Sequence, residues 1–312
     1  MKRKNLIQRM IMPLSELEEY YRYRRKERFE QNVPFGGVKL RKMLHPLALG
    51  LLKMMAIFTQ QKITVIADHR SSTDRPIIFA STHIGWDDPA IVLLANRDHA
   101  YLFWGDPKNS YKTIDGFFMD LNGTIICDTH DKEDRNIGKQ SCIKWLEQGG
   151  NLLVFPEGAW NVTENLPVMP LFSGVAEMAI RTGAEIVPIA FEKFGKNFYV
   201  NIGANISPDN FVLEQKQELT YKIRNVLATL KWELWEKQPQ EMRSDIPRGY
   251  RQQFLQGFTD QIPDESYSLE AIEITRFHTK EEIAQKEIES HLNRLIPCKE
   301  NMFLFRKRSF NK

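Results

Sequence analysis

Thr82-His83-Ile84-Gly85-Trp86-Asp87-Asp88-Pro89 sets a histidine five residues before a carboxylate. A histidine can take a proton near neutral pH. A carboxylate on its other ring nitrogen would fix the tautomer and stabilise the imidazolium. A second segment, Asn151-Leu-Leu-Val-Phe155-Pro156-Glu157-Gly158, runs a buried strand into a turn that leaves a carboxylate at its end. Gly158 would let a ligand approach the backbone. Two further segments are Asn122-Gly123-Thr-Ile-Ile-Cys-Asp128, a glycine turn into a strand, and Ala184-Glu-Ile-Val187-Pro188-Ile189-Ala190. Pro188 within a strand suggests an edge or a bulge. Each segment alone has a plain structural reading: Asp88 as a helix N-cap with proline at the first helical position, His83 as a loop histidine, Glu157 as an exposed turn residue.

The elements that must position these residues alternate. Short β-rich runs predict strands at 63–66, 76–81, 100–104, 124–128, 152–155, 185–191 and 198–202. Helices are expected over 88–95, 114–121, 133–147, 171–182 and 211–237. That rhythm defines an α/β fold with a mostly parallel central sheet flanked by helices. In such sheets ligands sit beyond the C-terminal ends of the strands, where His83 and Glu157 fall. The organisation read from the chain is an N-terminal basic and apolar helical segment over 1–59, a central domain over 60–237, and a C-terminal extension of unknown role over 238–312. In the first part, 14–32 reads as an exposed charged helix. An apolar helix follows within 40–58, with Pro46 at its first turn or at a kink. In the last, Thr279-Lys-Glu-Glu282 reads as a capping box.

Charge is uneven. The chain carries +3 overall, but residues 1–60 carry +8 and the remainder −5. A basic arm on an acidic body suits an anionic partner such as a membrane surface. Leu44 to Phe58 is apolar but is interrupted by His45, Pro46 and Lys53, which fits a helix lying in a membrane interface better than one crossing it. Cys127, Cys142 and Cys298 form no C-x-x-C pair, so neither a disulfide framework nor a zinc site is expected, and no metal. The expected location is the cytoplasmic face of the cell membrane, bound peripherally. G-x-S-x-G, H-E-x-x-H, P-loop and G-x-G-x-x-G signatures are absent, as is a nucleic-acid reading motif.

The four segments, in this order and spacing, resemble the glycerophospholipid acyltransferase family, to which bacterial lysophosphatidate acyltransferases belong. That family's blocks are Asn-His-x4-Asp, Gly-x-Ile-Phe-Ile-Asp-Arg, Phe-Pro-Glu-Gly-Thr-Arg and Val-Pro-Ile. Here they correspond to Thr82-His83 with Asp88, Gly123 to Asp128, Phe155 to Gly158, and Val187 to Ile189. The resemblance covers about residues 60–205. It implies a transferase that moves a fatty acyl group from acyl-CoA or an acyl-carrier protein to the hydroxyl of a lysophosphatidate-like acceptor. It needs no cofactor beyond that donor and forms no acyl-enzyme. His83 is then the general base and Asp88 its orienting partner, with Gly123, Glu157 and Gly158 shaping the acceptor site.

Three positions depart from the pattern. Thr129 stands where the second block ends in Arg, Ala159-Trp160 where the third continues Thr-Arg, and Phe172 where a Lys is common. The replaced arginines are natural phosphate ligands. His130, Lys132 and Arg135 are near enough in sequence to substitute, Arg135 foremost. Two other readings stay open: acyl transfer to a lipid acceptor lacking the usual phosphate, and a non-catalytic lipid-binding relative.

Overall fold

A computed structural model of the chain describes residues 2, 4–32, 37–105, 112, 122–163, 166–239, 243–260 and 268–278. The helix expected over 114–121 and the capping box at Thr279 lie outside the described residues.

Seven strands form one sheet: β1 Lys62–Asp68, β2 Ile77–Ser81, β3 Tyr101–Gly105, β4 Thr124–Cys127, β5 Leu152–Val154, β6 Glu185–Phe194 and β7 Asn197–Ile202. Their spatial order is β1-β7-β6-β2-β5-β3-β4. From β6 to β4 all neighbours are parallel. β7 is antiparallel to β6, and β1 runs parallel to β7. The fold is therefore α/β with a mostly parallel sheet, as the alternation of elements predicts.

Successive side chains of the central strands feed opposite faces, as the two-residue period of a strand requires. Ile78, Ala80, Leu152 and Val154 join one core with Trp145 and Leu227. Phe79 and Leu153 join the other with Ile91, Val92, Val187 and Phe191. Burial on both faces explains why these strands read as continuous apolar runs. Flanking the sheet are α4 Asp88–Asn96, α5 Lys132–Glu147, α6 Gly174–Thr182 and α7 Lys216–Glu236. Leu219, Ile223, Leu227, Leu230 and Leu234 of α7 are buried, the stripe expected at spacings of three and four.

Pro188 is not on an edge. It lies in β6, between β2 and β7. Its missing N–H is accommodated by an irregular ladder: Ile186 bridges Ile206, while Ile189 pairs with Ile202. Between those pairs, Val187 and Pro188 on β6 thus face three residues, Gly203 to Asn205, on the return.

Before the sheet come α1 Leu6–Ile11, α2 Leu14–Glu30 and α3 Val38–Phe58. Pro46 lies inside α3 rather than in its first turn. The expectation of an exposed helix over 14–32 needs correction. Leu17 and Tyr20 are buried, and Arg25 forks onto Asp134 of α5 at 3.1 and 2.6 Å. Such an Arg–carboxylate fork fixes orientation as well as adding energy. After the sheet, α8 Tyr250–Thr259 and α9 Leu269–Thr275 pack back on the central domain through Phe254, Phe258 and Ile272.

Candidate active site

β2 delivers His83 to the C-terminal edge of the sheet. Thr82, fully buried, fastens this loop to β6: its N–H donates to the Ile189 carbonyl at 3.0 Å, and its hydroxyl accepts the Phe191 N–H at 3.2 Å. The loop after β5 then clamps the His83 backbone on both sides. Glu157 Oε1 accepts the His83 N–H at 2.9 Å, and the Asn161 N–H donates to the His83 carbonyl at 2.8 Å.

His83 Nδ1 lies 2.6 Å from Asp88 Oδ2. The same oxygen accepts the N–H groups of Ile84 and Gly85, the latter at 2.9 Å. With two backbone N–H groups already on that oxygen, the arrangement suits the tautomer in which Nδ1–H is a third donor. That leaves the lone pair on Nε2, which no described residue engages. The His83 side chain is 18% exposed and that of Asp88 1%. The ring stacks on Phe155 at 4.4 Å between centroids and meets the edge of Trp160 at 6.3 Å. The pair can therefore accept a proton at one guarded nitrogen and hold the resulting imidazolium against a buried carboxylate.

Asp88 is not the helix N-cap expected from sequence. Asp87 holds that position, and α4 begins at Asp88, whose carboxylate turns back toward residues 83–85 instead. An aspartate at a helix start can face either way, and the upstream donors won.

Glu157 is wholly buried rather than exposed. Its second oxygen accepts the Met169 N–H at 2.8 Å, so the carboxylate is occupied by backbone. Burial pushes its carboxyl above the usual range, opposed by the two backbone donors and by the Lys231 ammonium. Lys231, also fully buried, binds the Phe191 carbonyl and lies 3.2 Å from Glu192. Glu157 thus holds the His83 loop in place.

Gly158 has φ 73, and a Cβ there would come within 2.4 Å of the Phe172 ring. Gly123 falls elsewhere. It precedes β4, at the opposite end of the sheet from His83, and the expectation of an acceptor contact is corrected accordingly. Its φ of 97 and the Tyr101 ring, 2.0 Å from where a Cβ would stand, account for the glycine. Arg135 lies on α5 at the C-terminal end of β4 and donates to the Thr129 carbonyl. Beside it Arg22 reaches from α2 to Asp128 at 2.7 Å.

Sequence reasoning missed Asn161, and it named Thr82 and Trp160 without giving either a part in holding His83. Trp160 carried a signal, since an aromatic replaces a polar residue directly beside the Pro-Glu-Gly turn. Among the described residues, no three His, Cys, Asp or Glu side chains converge to hold a metal ion.

A parallel sheet carrying a buried carboxylate–histidine pair at its C-terminal edge agrees with the family comparison, in which the Acyltransferase model matches residues 62–192. That match takes in the strands β1, β2 and β5, most of β6, and the His83 and Glu157 loops. The chain is 26% identical over 129 residues to a 1-acyl-sn-glycerol-3-phosphate acyltransferase of Chlamydomonas reinhardtii, a match spanning 41% of this chain and 38% of that relative. Its fold is like the crystal structure of PlsC, the 1-acyl-sn-glycerophosphate acyltransferase of Thermotoga maritima. There the TM-score is 0.53 with 16% identity, covering 73% of this chain and 95% of that one.

Proposed function

We propose that this chain transfers a fatty acyl group from a thioester, acyl-CoA or an acyl-carrier protein, to the hydroxyl of a lysophospholipid-type lipid. The observation that carries the reading is the 2.6 Å contact of His83 Nδ1 with an Asp88 carboxylate already committed to two backbone donors. Nε2 takes the hydroxyl proton as the oxygen attacks the thioester carbonyl. The tetrahedral oxyanion collapses, the C–S bond breaks, and the imidazolium returns the proton to the leaving thiolate. Asp88 holds the imidazolium through the interval. No acyl-enzyme is needed, because the base and the acceptor hydroxyl act together.

Both substrates are amphiphiles, and α3 supports a membrane surface as the place of reaction. Leu40, Met43, Leu44, Leu47, Met54 and Phe58 are all exposed and fall on one face of that helix. No described helix is long and apolar enough to cross a membrane. An exposed apolar face with basic neighbours fits a helix lying in the headgroup layer. It supports the reading of a peripheral protein; the cytoplasmic membrane face is the proposal drawn from the sequence.

The test is an acceptor screen with a labelled acyl thioester, run on the full chain with anionic vesicles. Label should move to a lysolipid hydroxyl. Label that stays on the thioester or goes only to water with every lysolipid would remove the reading. For the surface, Leu47→Glu with Phe58→Glu should lower vesicle sedimentation at least five-fold, and unchanged sedimentation would reject it.

A further inference from the structure

The C-terminal extension had no role from sequence, and its described part packs directly beside the candidate base. Ala159 and Trp160, the two residues after Pro-Glu-Gly, share a buried cluster with Met169 and with Tyr250, Phe254, Phe258 and Ile272 of the extension. Trp86, within the His83–Asp88 loop, packs against the same cluster. Trp160 is 3% exposed and presents its edge to the His83 ring. On the neighbouring side Phe172 lies over Gly158 and meets Phe277 of the extension at 5.1 Å between centroids. The extension therefore packs against two of the three positions where the resemblance places cations, and both of these hold aromatics; the third, Thr129, lies at the β4 end of the sheet.

A phosphate monoester carries a charge of about −1.5 to −2 at neutral pH. Such a group needs charge-assisted donors, and an aromatic wall offers none. An aromatic wall instead favours uncharged, partly apolar surface.

We infer that residues 243–260 and 268–278 are part of the acceptor site. Together with Trp160 and Phe172 they select a lipid alcohol with no phosphate monoester beside its reacting hydroxyl. The inference rests on the acyl-transfer reading and narrows its acceptor. Trp160 and Phe172 are specificity residues; they do not move the proton.

The test compares two acceptors that differ only in the phosphate: a monoacylglycerol and the lysophosphatidate with the same acyl chain, each with one acyl thioester and the full chain. The expected result is a kcat/KM at least ten-fold higher for the monoacylglycerol. Phe172→Lys, at a position 41% exposed and so tolerant of a charge, should shrink that ratio at least five-fold. Phe277→Ala should raise the KM for the monoacylglycerol more than it lowers kcat, with an unchanged melting temperature. Equal or faster transfer to lysophosphatidate by the wild type would overturn the inference and leave the acyl-transfer reading standing. So would a ratio that Phe172→Lys does not move. Transfer to neither acceptor, nor to any lysolipid in the screen, would remove the acyl-transfer reading itself.

Discussion

The two ends of the sheet's C-terminal edge are built by different physics. At β2 and β5 the polar groups are few and, His83 Nε2 apart, committed: His83 Nδ1 to Asp88, Glu157 to two backbone N–H groups, with aromatic rings around them. At β4 the groups are charged and paired across the chain, Arg22 with Asp128 and Arg25 with Asp134. The first arrangement fixes a proton acceptor against a buried carboxylate and two aromatic rings. The second ties the N-terminal helices to the sheet. The difference separates what can do chemistry from what can hold the molecule together, and each half makes its own demands under mutation.

The largest effect is expected on the first half. Asp88→Asn keeps the shape but offers His83 a carboxamide. Transfer should fall by about 10²–10⁴-fold, through loss of the tautomer and of imidazolium stabilisation. A rate within three-fold of wild type would make Asp88 a structural acceptor only. Glu157→Ala leaves the His83 and Met169 N–H groups buried and unpaired. At about 1–3 kcal/mol for each, chemical denaturation should show a loss of about 2–6 kcal/mol, with transfer reduced as the loop relaxes. A variant as stable as wild type would contradict the clamp.

The second half should respond in stability more than in rate. Arg25 is 16% exposed and its partner Asp134 4%, so Arg25→Ala strands a buried charge and should cost about 3 kcal/mol. Arg22, 53% exposed, should cost less than about 1 kcal/mol when replaced by alanine. Equal losses for the two would erase the distinction drawn from burial.

At neutral pH the smallest effect concerns α3, where buried His45 meets His99 edge-on at 5.3 Å. Burial lowers both imidazoles, His99 to about 4. The unfolded chain therefore binds more protons than the folded one between about pH 6.5 and 4, so stability should fall as pH drops through that window. His99→Phe should flatten the fall in melting temperature over the same range. An unchanged slope would mean that other groups carry it.

Much of this was legible before any coordinates. The strands could be read because burial on both faces leaves short apolar runs between turns. The four ordered blocks located His83 and Asp88 at the strand ends. What stayed hidden depends on distant partners. Asp88 looked like a helix cap because nothing local says that Ile84 and Gly85 would present their N–H groups to it. Glu157 looked exposed because its backbone partners come from two separate loops. The charged run over 14–32 concealed Leu17 and Tyr20, whose cover lies on other segments of the chain. Tyr250, Phe254 and Phe258 recur every four residues, and that stripe was the available sign that the extension docks rather than trails.

The central claim is that His83 Nε2 removes the acceptor proton. It is tested most directly by transfer from a labelled acyl thioester to a lysolipid in His83→Ala, with the fold checked by circular dichroism and melting. A native melt with transfer reduced by at least about 10²-fold is expected. A native melt with undiminished turnover would contradict the claim and leave His83 a loop histidine beside a buried aspartate.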